Sequence, residues 1–187
     1  MLRSLVGSEM CIRDRISPER VHHVPDVIAA FELAIEHFTT PGSAIIVPTP
    51  AYMPFLLVPP MHDRRVIEVP SIEVDGRWVM DLDAVAQAFR DGGEMLVLCN
   101  PHNPLGTVAT RDELLAIASV VTDAGGRVFS DEIHAPIVYA PAQHIPYASV
   151  SEAAASHTLT ATSASKAWNL AGPVSYTHLR AHETPEH

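Results

Sequence analysis

Four short, mostly apolar runs recur along the chain: Ala44 to Val47, Met95 to Cys99, Arg127 to Ser130 and His157 to Thr162. Runs that are apolar without alternation are what strands buried on both faces look like. The later runs are spaced by segments long enough for one helix or connection. That spacing predicts βαβ units, and with them an α/β fold: a three-layer, mostly parallel sheet with helices on both faces.

The intervening segments carry helix punctuation. Val24-Pro25-Asp26-Val27 opens one helix, because Pro and Asp suit a first turn with orphan N–H groups. Ile28, Phe31, Ile35 and Phe38 then repeat at helical spacing until Pro41-Gly42. Asp81 caps a helix from Leu82 to Phe89, and Thr110-Arg111-Asp112-Glu113 forms a capping box for one that ends at Gly125-Gly126. Asp75-Gly76 predicts a turn between Val66–Val69 and Arg77–Val79. Pro48-Thr49-Pro50-Ala51-Tyr52-Met53-Pro54-Phe55 reads as a rigid loop that holds Tyr52 in one direction.

Composition excludes several function classes. The 187 residues carry a net charge of −10, which argues against a surface for nucleic-acid phosphates. No apolar run reaches the roughly 18 residues of a membrane span. Cys11 and Cys99 have neither metal nor disulfide spacing, so a cytoplasmic setting and no metal site are expected. The two ends, residues 1–15 and 174–187, lack periodicity and look like translated adapter sequence. The expected genuine part is residues 16–173, a partial large domain of a longer protein.

Chemistry concentrates at the ends of the strand-like runs. Lys166 is the only lysine; the other eleven basic residues are arginine. An amine behind two serines and ahead of an apolar run can be desolvated into a nucleophile, whereas arginine stays protonated. Asn100-Pro101-His102-Asn103-Pro104-Leu105-Gly106 follows one strand and Asp131-Glu132-Ile133-His134 another. A carboxylate at the end of a buried strand lies where open α/β sheets hold ligands. Asp-Glu-Ile-His also matches a helicase box, but that reading needs a Gly-Lys phosphate loop upstream and the chain has no Gly-Lys pair.

Ser163-Ala164-Ser165-Lys166-Ala167-Trp168-Asn169-Leu170-Ala171-Gly172, the doubled Asn-Pro motif, Asp-Glu-Ile-His and Pro50-Ala51-Tyr52 come in one order. In that order they resemble the aspartate-aminotransferase-like pyridoxal-phosphate enzymes. Within these they look most like the cystathionine β-lyase and cysteine-conjugate β-lyase branch. The resemblance implies an incomplete large domain of fold type I. It implies that Lys166 attaches the cofactor and shuttles the α-proton, and that Asp131 keeps the pyridine nitrogen protonated. It further implies that Asn103 and His134 face the phenolic oxygen, Tyr52 stacks on the ring and Ser163 binds phosphate. A phosphate contact near His23 and Val24, at the first helix N-terminus, completes the set. Leu105 stands where the family more often has threonine. The implied activity is carbon–sulfur β-elimination on an amino acid, with amino transfer to a 2-oxo acid as the alternative. The resemblance also implies that the longer parent is a homodimer, and the 187-residue piece alone is expected to be inactive.

Overall fold

The computed structural model describes residues 20–170 and, as backbone, the strand Ser175–Leu179. In chain order the elements are β1 (Val21–Val24), α1 (Val27–Phe38), β2 (Ala44–Thr49), α2 (Pro54–Met61), β3 (Arg65–Pro70), β4 (Ile72–Val74) and β5 (Arg77–Val79). Then come α3 (Leu82–Arg90), β6 (Gly93–Cys99), α4 (Arg111–Ala124), β7 (Arg127–Asp131), α5 (Glu152–His157), β8 (Thr158–Ser163), α6 (Ser165–Trp168) and β9 (Ser175–Leu179). The main sheet runs β1-β9-β8-β7-β6-β2-β3, parallel from β8 to β3 and antiparallel at both β9 contacts. This is the expected α/β class.

Strand periodicity sorts the core into two layers. Ile45, Val47, Met95, Val97, Cys99, Phe129, Leu159 and Ala161 point toward α1 and α2. Their strand neighbours Ile46, Leu96, Leu98 and Val128 point toward α3, α4 and the segment ending in α5. Successive side chains of a strand alternate faces, so apolar residues at both parities require a helix layer on each side. Phe31, Phe55 and Phe129 interlock on the first face, with ring centroids 4.9 to 6.3 Å apart.

The predicted punctuation holds locally. The Asp81 carboxylate accepts from Ala84 N–H, the Thr110–Glu113 capping box is reciprocal, and Gly125 ends α4 with φ of 64°. Three expectations need correction. Asp26 is the N-cap of α1 rather than part of its first turn, its carboxylate accepting from Ala29 N–H at 2.8 Å. The proline-rich segment after Tyr52 is not all loop: Pro54 sits in the first turn of α2, where its missing N–H costs nothing. His157 belongs to the last turn of α5, so β8 begins at Thr158. The stretch Ser175–Leu179, set aside in the sequence reading, pairs as a strand between β1 and β8. Residues 1–15 and the remainder of 174–187 lie outside the described residues.

Candidate active site

Parallel strands share a direction, so β6, β7 and β8 deliver their carboxyl ends to one edge of the sheet. Register then fixes which residues meet there. Cys99 pairs with Asp131 across β6 and β7, and Asp131 pairs with Ala161 across β7 and β8. Further along the same edge, Ser163 pairs with Ser175, which pairs with Val24. One row of backbone therefore links the ends of β8 and β1, although more than a hundred residues separate them in sequence.

Asp131 is the buried centre of this edge, 5% exposed. Burial pushes its carboxyl up to about 6; the Ile133 N–H donating to Oδ1 at 3.1 Å works against this, the neighbouring Glu132 charge adds to it, and Lys166 opposes it. Cys99 Sγ lies 4.0 Å from Oδ2. Burial, and then the Asp131 charge, push that thiol up to about 12, with the Asn103 N–H donating to its sulfur as a partial offset. That contact draws Asn103, half-buried in its loop, to the Cys99–Asp131 pair. His134 is held below the usual imidazole range by burial and by the Lys166 charge, while its ring donates to the Pro101 carbonyl. Asp131, His134, Asn103 and Lys166 are thus brought together.

Lys166 stands on the short α6, exposed. Ser163, 4% exposed, accepts from the Ser165 N–H at 3.1 Å and donates to the Ser165 hydroxyl at 3.0 Å, which folds the chain back just before the lysine. His23 is exposed on β1 and Val24 is buried, next to the N-terminus of α1. Tyr52 is 44% exposed and meets Phe55 edge-on at 5.8 Å, so its ring is fixed by packing on one side only.

Three buried polar residues beside this edge escaped the sequence reading. Cys99 looked like the end of an apolar strand. Glu132 was read only as part of a motif, yet its carboxylate is fully engaged on the opposite face of β7. Asn100, 2% exposed, accepts from the Ala109 N–H at 3.0 Å and closes the Asn-Pro loop on itself. Asn100 differs from Asn103 only in context, and no local spacing separates a loop clasp from a ligand contact. A cavity of about 400 Å³ lies under the β4–β5 hairpin against α4 and reaches Cys99, Asn100 and His102 at this edge. It is lined by Trp78, Met80, Leu98, Leu105 and Ile117 and touches none of the candidate residues.

Comparison with known proteins bears on this arrangement. Residues 8–179 match the family model described as aminotransferase class I and II. The chain is 46% identical over 156 residues to a cystathionine beta-lyase of Corynebacterium glutamicum, covering 83% of this chain and 40% of that protein. It is 33% identical over 159 residues to the cystathionine beta-lyase PatB of Bacillus subtilis, covering 84% and 41%. Cystalysin of Treponema denticola, whose crystal structure contains a pyridoxal 5'-phosphate cofactor, superposes with a TM-score of 0.84 at 31% identity, covering 89% and 43%. The chain spans about two fifths of the length of the curated relatives it matches.

Proposed function

The chain belongs to the class I and II aminotransferase family, and on that footing we propose that it forms the cofactor-holding part of a pyridoxal-phosphate enzyme that eliminates a sulfur group from the β-carbon of an amino acid. The observation that carries this reading is the strand-end cluster: a buried carboxylate, Asp131, within electrostatic reach of the only lysine.

The donor set fits the cofactor. Among the described residues the hydrogen-bond partner of Asp131 Oδ2 is the weakly polar Cys99 thiol, so a protonated ring nitrogen would relieve a buried charge. When bound, pyridoxal phosphate supplies an electron sink for bonds broken at the substrate α-carbon. Lys166 is the residue that would hold it and carry the α-proton. Asp131 would keep a proton on the ring nitrogen, and Asn103 and His134 would meet the ring oxygen. Tyr52 has an exposed ring that would cover one face, and Ser163, His23 and Val24 are the residues that would hold the phosphate.

The elimination reading draws on the identity to the Corynebacterium and Bacillus lyases. Amino transfer to a 2-oxo acid is the second reading, favoured by the family description, and uses the same residues. The proposal includes an amino-acid substrate, a homodimeric full-length protein and a cytoplasmic setting. Its domain division is residues 16–173 as part of the large domain, with 1–15 and 174–187 set outside it although Ser175–Leu179 pairs with β1 and β8.

Borohydride reduction of the cofactor-loaded full-length protein, followed by peptide mapping, is expected to place the label on Lys166. A label on any other residue refutes the assignment. Pyruvate and free thiol from cystathionine are expected; amino transfer without thiol release would replace the first reading with the second.

A further inference from the structure

Glu132 is 4% exposed and sits one residue from Asp131, yet nothing in the cofactor reading uses it. Its side chain lies on the same strand face as Ser130, opposite Asp131. The Ser130 hydroxyl and the Tyr147 N–H each donate to Oε1 at 3.0 Å, and His144 Nε2 donates to Oε2 at 2.9 Å. Its backbone reaches the other way. The Glu132 N–H donates to the Ala161 carbonyl at 2.8 Å, and its carbonyl accepts from the Ala135 N–H at 3.0 Å and the Thr162 hydroxyl at 3.4 Å. One residue thus ties the end of β7 to the 144–147 segment behind it and to the end of β8 beside it.

A buried carboxylate is costly to keep unless it is hydrogen-bonded, and an apolar side chain would suit the apolar layer on that face of the sheet as well. We propose that Glu132 is a positioning residue: bound from behind by Ser130, His144 and Tyr147, it holds the β7 corner so that Asp131, His134 and the β8 end leading to Lys166 keep one mutual arrangement. This rests on the pyridoxal-phosphate reading of the site. His144 shares the task. Among the described residues its Nδ1 is buried without a hydrogen-bond partner, and Glu132 is the residue its ring bonds to.

The test is a pyridoxal-phosphate titration of the full-length protein as wild type, Glu132→Ala, Glu132→Gln and His144→Phe. Affinity, the circular dichroism of the bound cofactor's visible band and the melting temperature of the cofactor-free protein are read together. Glu132→Ala is expected to weaken binding by roughly 10- to 100-fold and to reduce the visible dichroism even at saturation, as loosened supporting contacts do. Glu132→Gln, whose amide oxygen still accepts from Ser130 and Tyr147, is expected to restore affinity to within about fivefold of wild type. His144→Phe falls between them and carries the test with the Gln variant if the Ala variant does not fold. A variant that melts earlier yet reaches the wild-type affinity and dichroism overturns the proposal, because the role is then in folding alone. Failure of Glu132→Gln to recover any binding also overturns it. Wild type that binds no cofactor would instead refute the functional reading on which this rests.

Discussion

Cys99 and Asp131 face each other in register on adjacent parallel strands, with the thiol sulfur 4.0 Å from the carboxylate oxygen. The influence runs one way: the Asp131 charge disfavours a second negative charge on the thiol, whereas the carboxyl is raised by burial and by the Glu132 charge. Both protons are held more tightly than in water, the thiol at about 12 and the carboxyl at about 6.

The thiol should therefore be inert. In a Cys11→Ser background, a disulfide reagent at pH 8 is expected to modify native Cys99 at least ~10³-fold more slowly than a free thiol, because thiolate is so scarce. Labelling should accelerate only in denaturant. Fast labelling of the native state would show Cys99 to be exposed and ionised.

Asp131 should be a stability liability without its cofactor. Its folded value lies above the unfolded one of about 4, so the native state holds the extra proton. Stability is fully present below pH 4, falls as the pH rises to about 6, and stays lower beyond that. Asp131→Asn is expected to stabilise the cofactor-free full-length protein by about 1–3 kcal/mol at pH 7.5 and hardly at all at pH 4. Turnover should nearly vanish, since an amide cannot keep the ring nitrogen protonated. Thermal melts at the two pH values check the first statement and a rate assay the second.

His157 imposes the opposite pH dependence. Burial, aided by the Arg127 charge, holds its imidazole down to about 4, and Tyr147 donates its hydroxyl to Nε2 at 2.9 Å. The folded value is below the unfolded one of about 6.5, so this contribution is complete above pH 6.5 and is lost as the pH falls toward 4. In an Asp131→Asn background, which removes the competing effect, the loss is expected to be about 1–3 kcal/mol by urea unfolding. Replacing His157 with Gln should flatten it.

Much of the scaffold was legible because its signals are local. The caps at Asp81 and Thr110, the glycine stop at Gly125 and the apolar runs of β2, β6 and β7 each lie within a few residues of what they specify. The clustering of Asp131, Asn103 and Lys166 was legible only through the order of their motifs. The partners of Glu132 were not legible: His144 lies in irregular chain and Tyr147 opens a single 3-10 turn, too short for a period to read. Helix α2 was hidden by Pro59 and Pro60, which lie inside it and remove two of its N–H donors.

Arg64 offers a test of how α1 is held. Its guanidinium, 8% exposed, donates to the carbonyls of Ile35, Thr39 and His62 and to the Thr39 hydroxyl. The Ile35 and Thr39 carbonyls lie at the carboxyl end of α1 and His62 is the C-cap of α2, so one guanidinium joins the ends of the two helices. Arg64→Met is expected to cost about 2–4 kcal/mol in denaturant unfolding, with Arg64→Lys recovering part of it. A loss under about 0.5 kcal/mol would mean that water serves those carbonyls equally well.

Strand β7 behaves as a reading frame. Phe129 and Asp131 read out on one face, Ser130 and Glu132 on the other, and both sets are buried among committed neighbours. Deleting or inserting a single residue there would exchange the two carboxylates, turning the engaged one toward Cys99 and the other toward His144. Such a slip leaves composition and charge almost untouched while erasing the chemistry. Length variation among descendants of this sequence is therefore confined to the loops that flank the strand, and the strand itself can change only by substitution.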